Sequence, residues 1–97
     1  MSLPPEATEG RILKFSLSPS VTKLELAVGT QVLYTAFDTN KRLCIWVLSP
    51  HGDTELEHRS FQIFATGAVV PMDYLHWGTI HDGAYIWHVF EIPLKVT

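Results

Sequence analysis

Basic residues are scarce in this chain and absent from the whole interval between Arg59 and Lys95. Seven Lys and Arg stand against ten Asp and Glu, a formal charge of −3. A nucleic-acid binder needs a concentrated basic face to displace the counterions of a phosphate backbone. No nucleic-acid partner is expected. Cysteine is nearly missing as well. Cys44 is the single one, so no internal disulfide can form, and its setting in Leu43-Cys44-Ile45-Trp46-Val47-Leu48 reads as a buried, inert thiol. The longest apolar runs are about six residues, far short of a membrane span. The start, MSLPPEATEG, has no basic residue ahead of an apolar stretch, so no secretory signal is read there. The expected setting is cytoplasmic and reducing, with no membrane partner.

Helical periodicity is lacking too. No stretch places apolar residues at i, i+3, i+4 and i+7 over a helix's length. Reaction signatures are equally absent: there is no G-x-S-x-G and no glycine-rich phosphate loop, and no His is tied to Cys44. No catalytic residue, metal ligand set or cofactor is expected, and the protein is read as a non-enzyme.

What the chain does have is alternation. With 46% hydrophobic residues over 97 positions, it holds one domain's worth of core. Residues 1–10 read as a flexible arm, 11–93 as a single β domain and 94–97 as a tail. Leu13, Phe15 and Leu17 alternate with Lys14 and Ser16; Leu24, Leu26 and Val28 alternate with Lys23 and Glu25. A period of two marks half-buried strands. Residues 31–37 and 43–48 flank the polar Asp38-Thr39-Asn40-Lys41-Arg42 and read as a hairpin. The second of these strands is apolar on both faces, so it is expected to be central and covered on both sides, with Trp46 at the heart of the core. Ser49 to His58 reads as one long polar loop, solvated rather than ion-binding although it carries His51, Asp53, Glu55, Glu57 and His58. Arg59 to Ala65 returns to strand, and Gly67 and Pro71 make 66–72 a bend. The expected fold is all-β: a small antiparallel β-sandwich or partly open barrel of six or seven strands.

The stretch from Asp73 to Ile92 concentrates the chemistry, with two Trp, two Tyr and three His around the break His81-Asp82-Gly83. It reads as a hairpin with two registers in play. A two-residue Asp82-Gly83 turn, the preferred one, sets Trp77 against His88 and His76 against Val89. A three-residue loop sets Trp77 against Trp87 and His76 against His88, since a one-residue slip exchanges every partner. Tyr74, His76, Trp77, Tyr85 and His88 are the candidate binding residues, because clustered aromatics and imidazoles suit a docking surface or a ligand platform. Trp87 and Phe90 are assigned to the core.

The chain also carries a set of linked motifs. Lys14-Phe15-Ser16-Leu17 stands where K-F/Y-P-L opens, and Leu43 to Leu48 where L-x-L-W-x-L crosses the centre. Arg59-Ser60-Phe61-Gln62-Ile63-Phe64-Ala65-Thr66-Gly67 matches R-x-F-x-I-x-G-T-G, and Ile86-Trp87-His88-Val89-Phe90-Glu91 closes as V-W-H-V-F-E. In this order and over about Arg11 to Glu91, the chain resembles a short, uncharacterised domain family of bacteria and their phages. Ser16 for the proline and Ala65 for the first glycine are local departures. The resemblance implies a context, a small accessory protein that is often phage-borne, and brings no activity, cofactor or site residue.

The leading expectation is therefore a non-catalytic accessory protein that docks on a host or phage protein. A small-molecule binder with an aromatic and His-lined pocket is the second reading. A hydrolase or metal enzyme using His76 and His88 comes last, because its chemical constellation is incomplete. Self-association as a homodimer is compatible with any of them.

Overall fold

Alternation in the sequence becomes strand in a computed structural model that describes residues 8–94. The strands are β1 (Gly10–Ser16), β2 (Thr22–Ala27), β3 (Gln31–Phe37), β4 (Leu43–Pro50), β5 (Leu56–Ala65), β6 (Leu75–Asp82) and β7 (Tyr85–Ile92). One sheet has the order β1-β4-β3 and the other β2-β5-β7-β6. All pairings are antiparallel, and no ladder joins one sheet to the other. The fold is an open, all-β sandwich. No helix of the described residues is long and apolar enough to cross a membrane.

The expected arm lies mostly outside the described residues, as do residues 95–97 of the expected tail. Of the arm's last residues, Gly10 already belongs to β1, and the Glu9 carbonyl accepts the His51 N–H at 2.9 Å. The long polar loop is shorter than its composition suggests. β4 runs on to Pro50 and β5 starts at Leu56, so Glu57 and His58 are strand residues on opposite faces rather than neighbours in a ligand loop.

The core lies between the sheets and follows strand parity. Ile45, Val47, Phe61 and Val89 are fully buried or nearly so, and Leu17, Leu26, Leu43 and Ile80 complete the cluster. Each such side chain contributes about 1.5–3 kcal/mol by leaving water. Parity also corrects the expected core. β4 is central in its sheet, but only its inward side lies against the other sheet; on its outward side Cys44 is buried and Trp46 and Leu48 are partly exposed. Ile45 and Val47 point inward, so Trp46 points outward and lies tilted against Tyr34 at 6.0 Å. On β7 the inward positions are Val89 and Glu91. Phe90 is therefore on the outer face, and Trp87, although inward in parity, is half-buried near the hairpin end with its N–H toward Asp82 at 3.3 Å. Gly78 of β6 faces Thr35 of β3 across the sandwich, with no room for a side chain between them.

The loop between β3 and β4 is held by Asp38. Its carboxylate accepts the backbone N–H of Asn40 and of Arg42, each at 2.9 Å, and the Lys14 ammonium at 3.2 Å. Lys41 supplies the left-handed residue the loop needs, at φ 61°. The Cys44 thiol is fully buried beside this carboxylate, its S–H directed at Asp38 over 3.6 Å. Burial first, and the nearby carboxylate after it, push the thiol's pKa up, which disfavours the reactive thiolate.

The Arg42 N–H bond, with help from Lys14 and Asn40, holds the Asp38 carboxyl at about 2, against an ordinary 3.8. A depressed folded-state value means stability that is fully present above the unfolded value and lost as pH falls toward 2. Asp38→Asn is therefore expected to flatten the dependence of Tm on pH between about 4 and about 2. Thermal melts of both proteins across that range check it; parallel curves would contradict the assignment.

Candidate functional site

The β6–β7 hairpin turns on Gly83-Ala84, one residue later than either sequence register. Asp82 pairs with Tyr85, His81 with Ile86, Ile80 with Trp87 and Thr79 with His88. Gly83 has φ +57° and Ala84 has no positive φ. A glycine at the first central position is the type II′ arrangement, whereas the Asp82-Gly83 turn would have forced Asp82 into the left-handed region. The register then shifts between His76 and Gly78, leaving Trp77 as a bulge, and resumes with His76 opposite Phe90. His76 thus faces neither Val89 nor His88 directly.

This register still places both imidazoles on the outer face of the four-stranded sheet. Their ring centroids are 6.3 Å apart, with Thr79 between them. Thr79 Oγ1 lies 3.0 Å from His76 Nε2 and 3.1 Å from His88 Nδ1, and His88 Nε2 lies 2.9 Å from Thr66 Oγ1. A hydroxyl holds one proton and two lone pairs, so Thr79 donates to at most one of the two imidazoles and accepts from at least one. The tautomers of His76 and His88 are linked through it. Beside this polar chain lies an aromatic cluster. Phe64 meets Phe90 edge-on at 5.6 Å and Tyr74 at 6.3 Å, and His76 rests against Phe90 at 5.1 Å.

Two tight turns carry the chain from this face into a projecting loop. The Ala68 N–H bonds the Ala65 carbonyl around Gly67 at φ +96°, and the Tyr74 N–H bonds the Pro71 carbonyl. Between them Val69 is 94% exposed and Met72 99% exposed.

Of the five candidates, the fold gathers Tyr74, His76 and His88 and separates the other two. Tyr85 stacks on Trp87 at 5.9 Å on the opposite face of β7. Trp77 turns inward, and its N–H donates to Glu91 Oε1 at 2.9 Å. That contact belongs to a network the sequence reading missed. Arg59 grips Glu91 with two bonds, Nε to Oε2 at 2.6 Å and Nη2 to Oε1 at 2.7 Å, and Nη1 donates to the Thr30 carbonyl at 2.7 Å. The bonds to Glu91 raise the Arg59 pKa above its ordinary value. Parity carried the clue: Arg59 shares a face with Phe61, and Glu91 with Val89, so both charges had to point inward and meet. Phe64 was missed as well, although its parity with Ser60 and Gln62 places it on the outer face, opposite Phe61 and Ile63.

Among the described residues no three His, Cys, Asp or Glu side chains come together to hold a metal ion. What this face offers is an aromatic and hydrogen-bonding surface, in the same part of the chain as a loop whose Val69 and Met72 are exposed.

The class is thereby defined: an open seven-stranded β-sandwich whose four-stranded sheet carries an uncovered aromatic outer face. The chain belongs to the family described as a domain of unknown function, DUF7352, whose family model matches residues 8–96. No curated protein and no solved structure matches it.

Proposed function

We propose that this protein is a non-catalytic, cytoplasmic accessory module of phage or mobile-element type, which acts by docking on another protein through the outer face of its β2-β5-β7-β6 sheet. The observation that carries the reading is the pairing of the Phe64–Phe90–Tyr74 cluster with a loop tip that leaves Val69 and Met72 fully in water. Apolar surface displayed in this way marks an interaction site, and aromatic anchors beside it are the usual hot-spot material. The partner's chemistry follows from charge. No Lys or Arg occurs between Arg59 and Lys95, and Asp73 is exposed next to Met72. An apolar protein surface rimmed by Lys or Arg is complementary to it. The phage or mobile-element setting draws its support from the motif resemblance, and the reducing compartment from the buried free thiol of Cys44.

A paired variant tests the reading. Val69→Asp with Met72→Asp changes exposed side chains, so Tm is expected to stay within about 2 °C of the parent. Retention of a partner from a host lysate, then of the same partner in purified form, is expected to fall at least about tenfold. Retention equal to that of the parent would sink the proposal. Light scattering on the free protein addresses the competing occupant. A concentration-independent monomer leaves the face open for a partner, whereas a dimer broken by the same two substitutions would assign the face to a second copy of this chain.

A further inference from the structure

Both sheets end in open edges, β1 and β3 in one and β2 and β6 in the other. An edge strand displays unpaired N–H and C=O groups that invite another strand. Two of these edges are interrupted by bulges, β3 between Val32 and Tyr34 and β6 between His76 and Gly78, a device that blunts pairing. β1 is regular, but its charged side chains, Arg11 and Lys14, are of one sign. β2 is regular and carries both signs. Thr22 stands opposite the buried Phe61 and Leu26 is buried, so Lys23 and Glu25 lie on the outer face, where both are exposed. The backbone decides which groups of β2 are free. The Val28 N–H donates to the Glu55 carbonyl at 2.8 Å, which continues the register that sets Ala27 opposite Leu56. Hydrogen-bonded pairs alternate along an antiparallel ladder, so the even-numbered residues of β2 bond to β5. The N–H and C=O groups of Lys23 and Glu25 therefore point away from β5, toward the open edge.

We propose that β2 pairs antiparallel with β2 of a second copy of this chain, about a two-fold axis at Leu24. This register sets Lys23 opposite Glu25 of the second copy and Glu25 opposite its Lys23. Each pair joins residues whose backbone groups are free, so both bonds of the pair form. Sliding one backbone-compatible step either way sets Lys23 against Lys23 or Glu25 against Glu25, which like charges disfavour. Charge complementarity thus singles out the register. Within its own sheet Lys23 faces the neutral Ser60 and, among the described residues, forms no ion pair, while Glu25 lies 3.7 Å from His58. The second copy supplies the carboxylate that Lys23 lacks. The joined strands continue one sheet across both copies and keep the two docking faces on the same side, uncovered, which offers a partner two sites at once. The edge is separate from the docking face, so either proposal can fail without the other.

Light scattering on the full chain at rising concentration tests it. The mass is expected to climb reversibly from one chain toward two, since a contact this narrow is not obligate. Lys23→Glu and Glu25→Lys each place like charges across the axis, and each is expected to weaken association at least about tenfold. An equal mixture of the two variants restores both opposite-charge pairs and is expected to match the parent to within about twofold. Val69→Asp with Met72→Asp is expected to leave this association unchanged. Lys23 and Glu25 are exposed, and circular dichroism verifies the fold of each variant. Amide exchange gives a readout that needs no variant: the Lys23 and Glu25 N–H groups are expected to exchange at least about fivefold more slowly at high concentration. A one-chain mass at every soluble concentration would overturn the proposal. So would exchange at these amides that ignores concentration, association that ignores the charge reversals, a mixture that stays monomeric, or loss of the dimer in the docking-face variant.

Discussion

Replacing Gly78 with alanine is expected to cost about 2–4 kcal/mol of stability, enough to leave a small domain poorly folded at elevated temperature. A Cβ at this position would sit 1.8 Å from Thr35 Oγ1 and 3.1 Å from Thr35 Cβ. Rotation of Thr35 about χ1 moves the hydroxyl aside, at a rotamer cost for a β-branched residue in a packed sheet. It leaves the Cβ–Cβ approach at 3.1 Å, tighter than ordinary van der Waals contact, so β3 or β6 must give by a few tenths of an ångström. The partner position provides the internal control. Thr35→Ala removes the hydroxyl and Thr35 Cγ2, so the double variant Gly78→Ala/Thr35→Ala is expected to recover a substantial part of the loss. Urea unfolding of the four proteins of the cycle measures the coupling, expected at about 1–3 kcal/mol in favour of the double. Additive losses would show that the two sheets do not meet at this contact.

Glu91→Ala is the second large effect, expected at about 3–5 kcal/mol. Glu91 accepts from Arg59 Nε and Nη2 and from Trp77 Nε1, and the Arg59 and Glu91 side chains are only 13% and 10% exposed. Truncating the carboxylate leaves Arg59 Nε and Nη2 and the Trp77 indole N–H without their acceptor in a nearly dry place, with only Nη1 still bonded to the Thr30 carbonyl. Glu91→Gln keeps the shape and removes the charge. It is expected to cost less than Glu91→Ala but more than a surface substitution, because one of its amide groups must face donors. Replacing Arg59 and Glu91 together by apolar residues of similar volume is expected to be milder than either single truncation, as for other buried ion pairs. Denaturant unfolding resolves the order. A loss below about 1 kcal/mol for Glu91→Ala would show that the network is solvated and not structural.

The strands were legible because alternation is a local property. Lys14 between Leu13 and Phe15, or Glu25 between Leu24 and Leu26, announces its face without reference to the rest of the chain. Faces became ambiguous where both parities are apolar, as in Leu43 to Leu48, and there Trp46 was drawn into the core by its size when the packing wanted Ile45 and Val47. The hairpin register failed for a different reason. Gly83 supplies a positive φ at either central position of a two-residue turn, and the sequence preference for Asp-Gly chose the second when the chain uses the first. The bulge at Trp77 then depended on a carboxylate fourteen residues away, which local pattern does not reach. Tyr74, His76 and His88 fall on one face, although the preferred sequence register had set His76 against Val89; Tyr85 lies across from His88 by strand parity in any register, and Trp77 turns inward at the bulge.

Site-directed photo-crosslinking tests the outer face of the β2-β5-β7-β6 sheet as the docking surface most directly. A benzophenone amino acid is placed at Met72, beside the aromatic cluster, and in a separate protein at Ile12, exposed on the outer face of the three-stranded sheet. Irradiation in host lysate is expected to yield one discrete adduct from position 72, reproduced with the purified partner, and none of that species from position 12. Capture of the same partner from position 12, with nothing from position 72, would contradict the account.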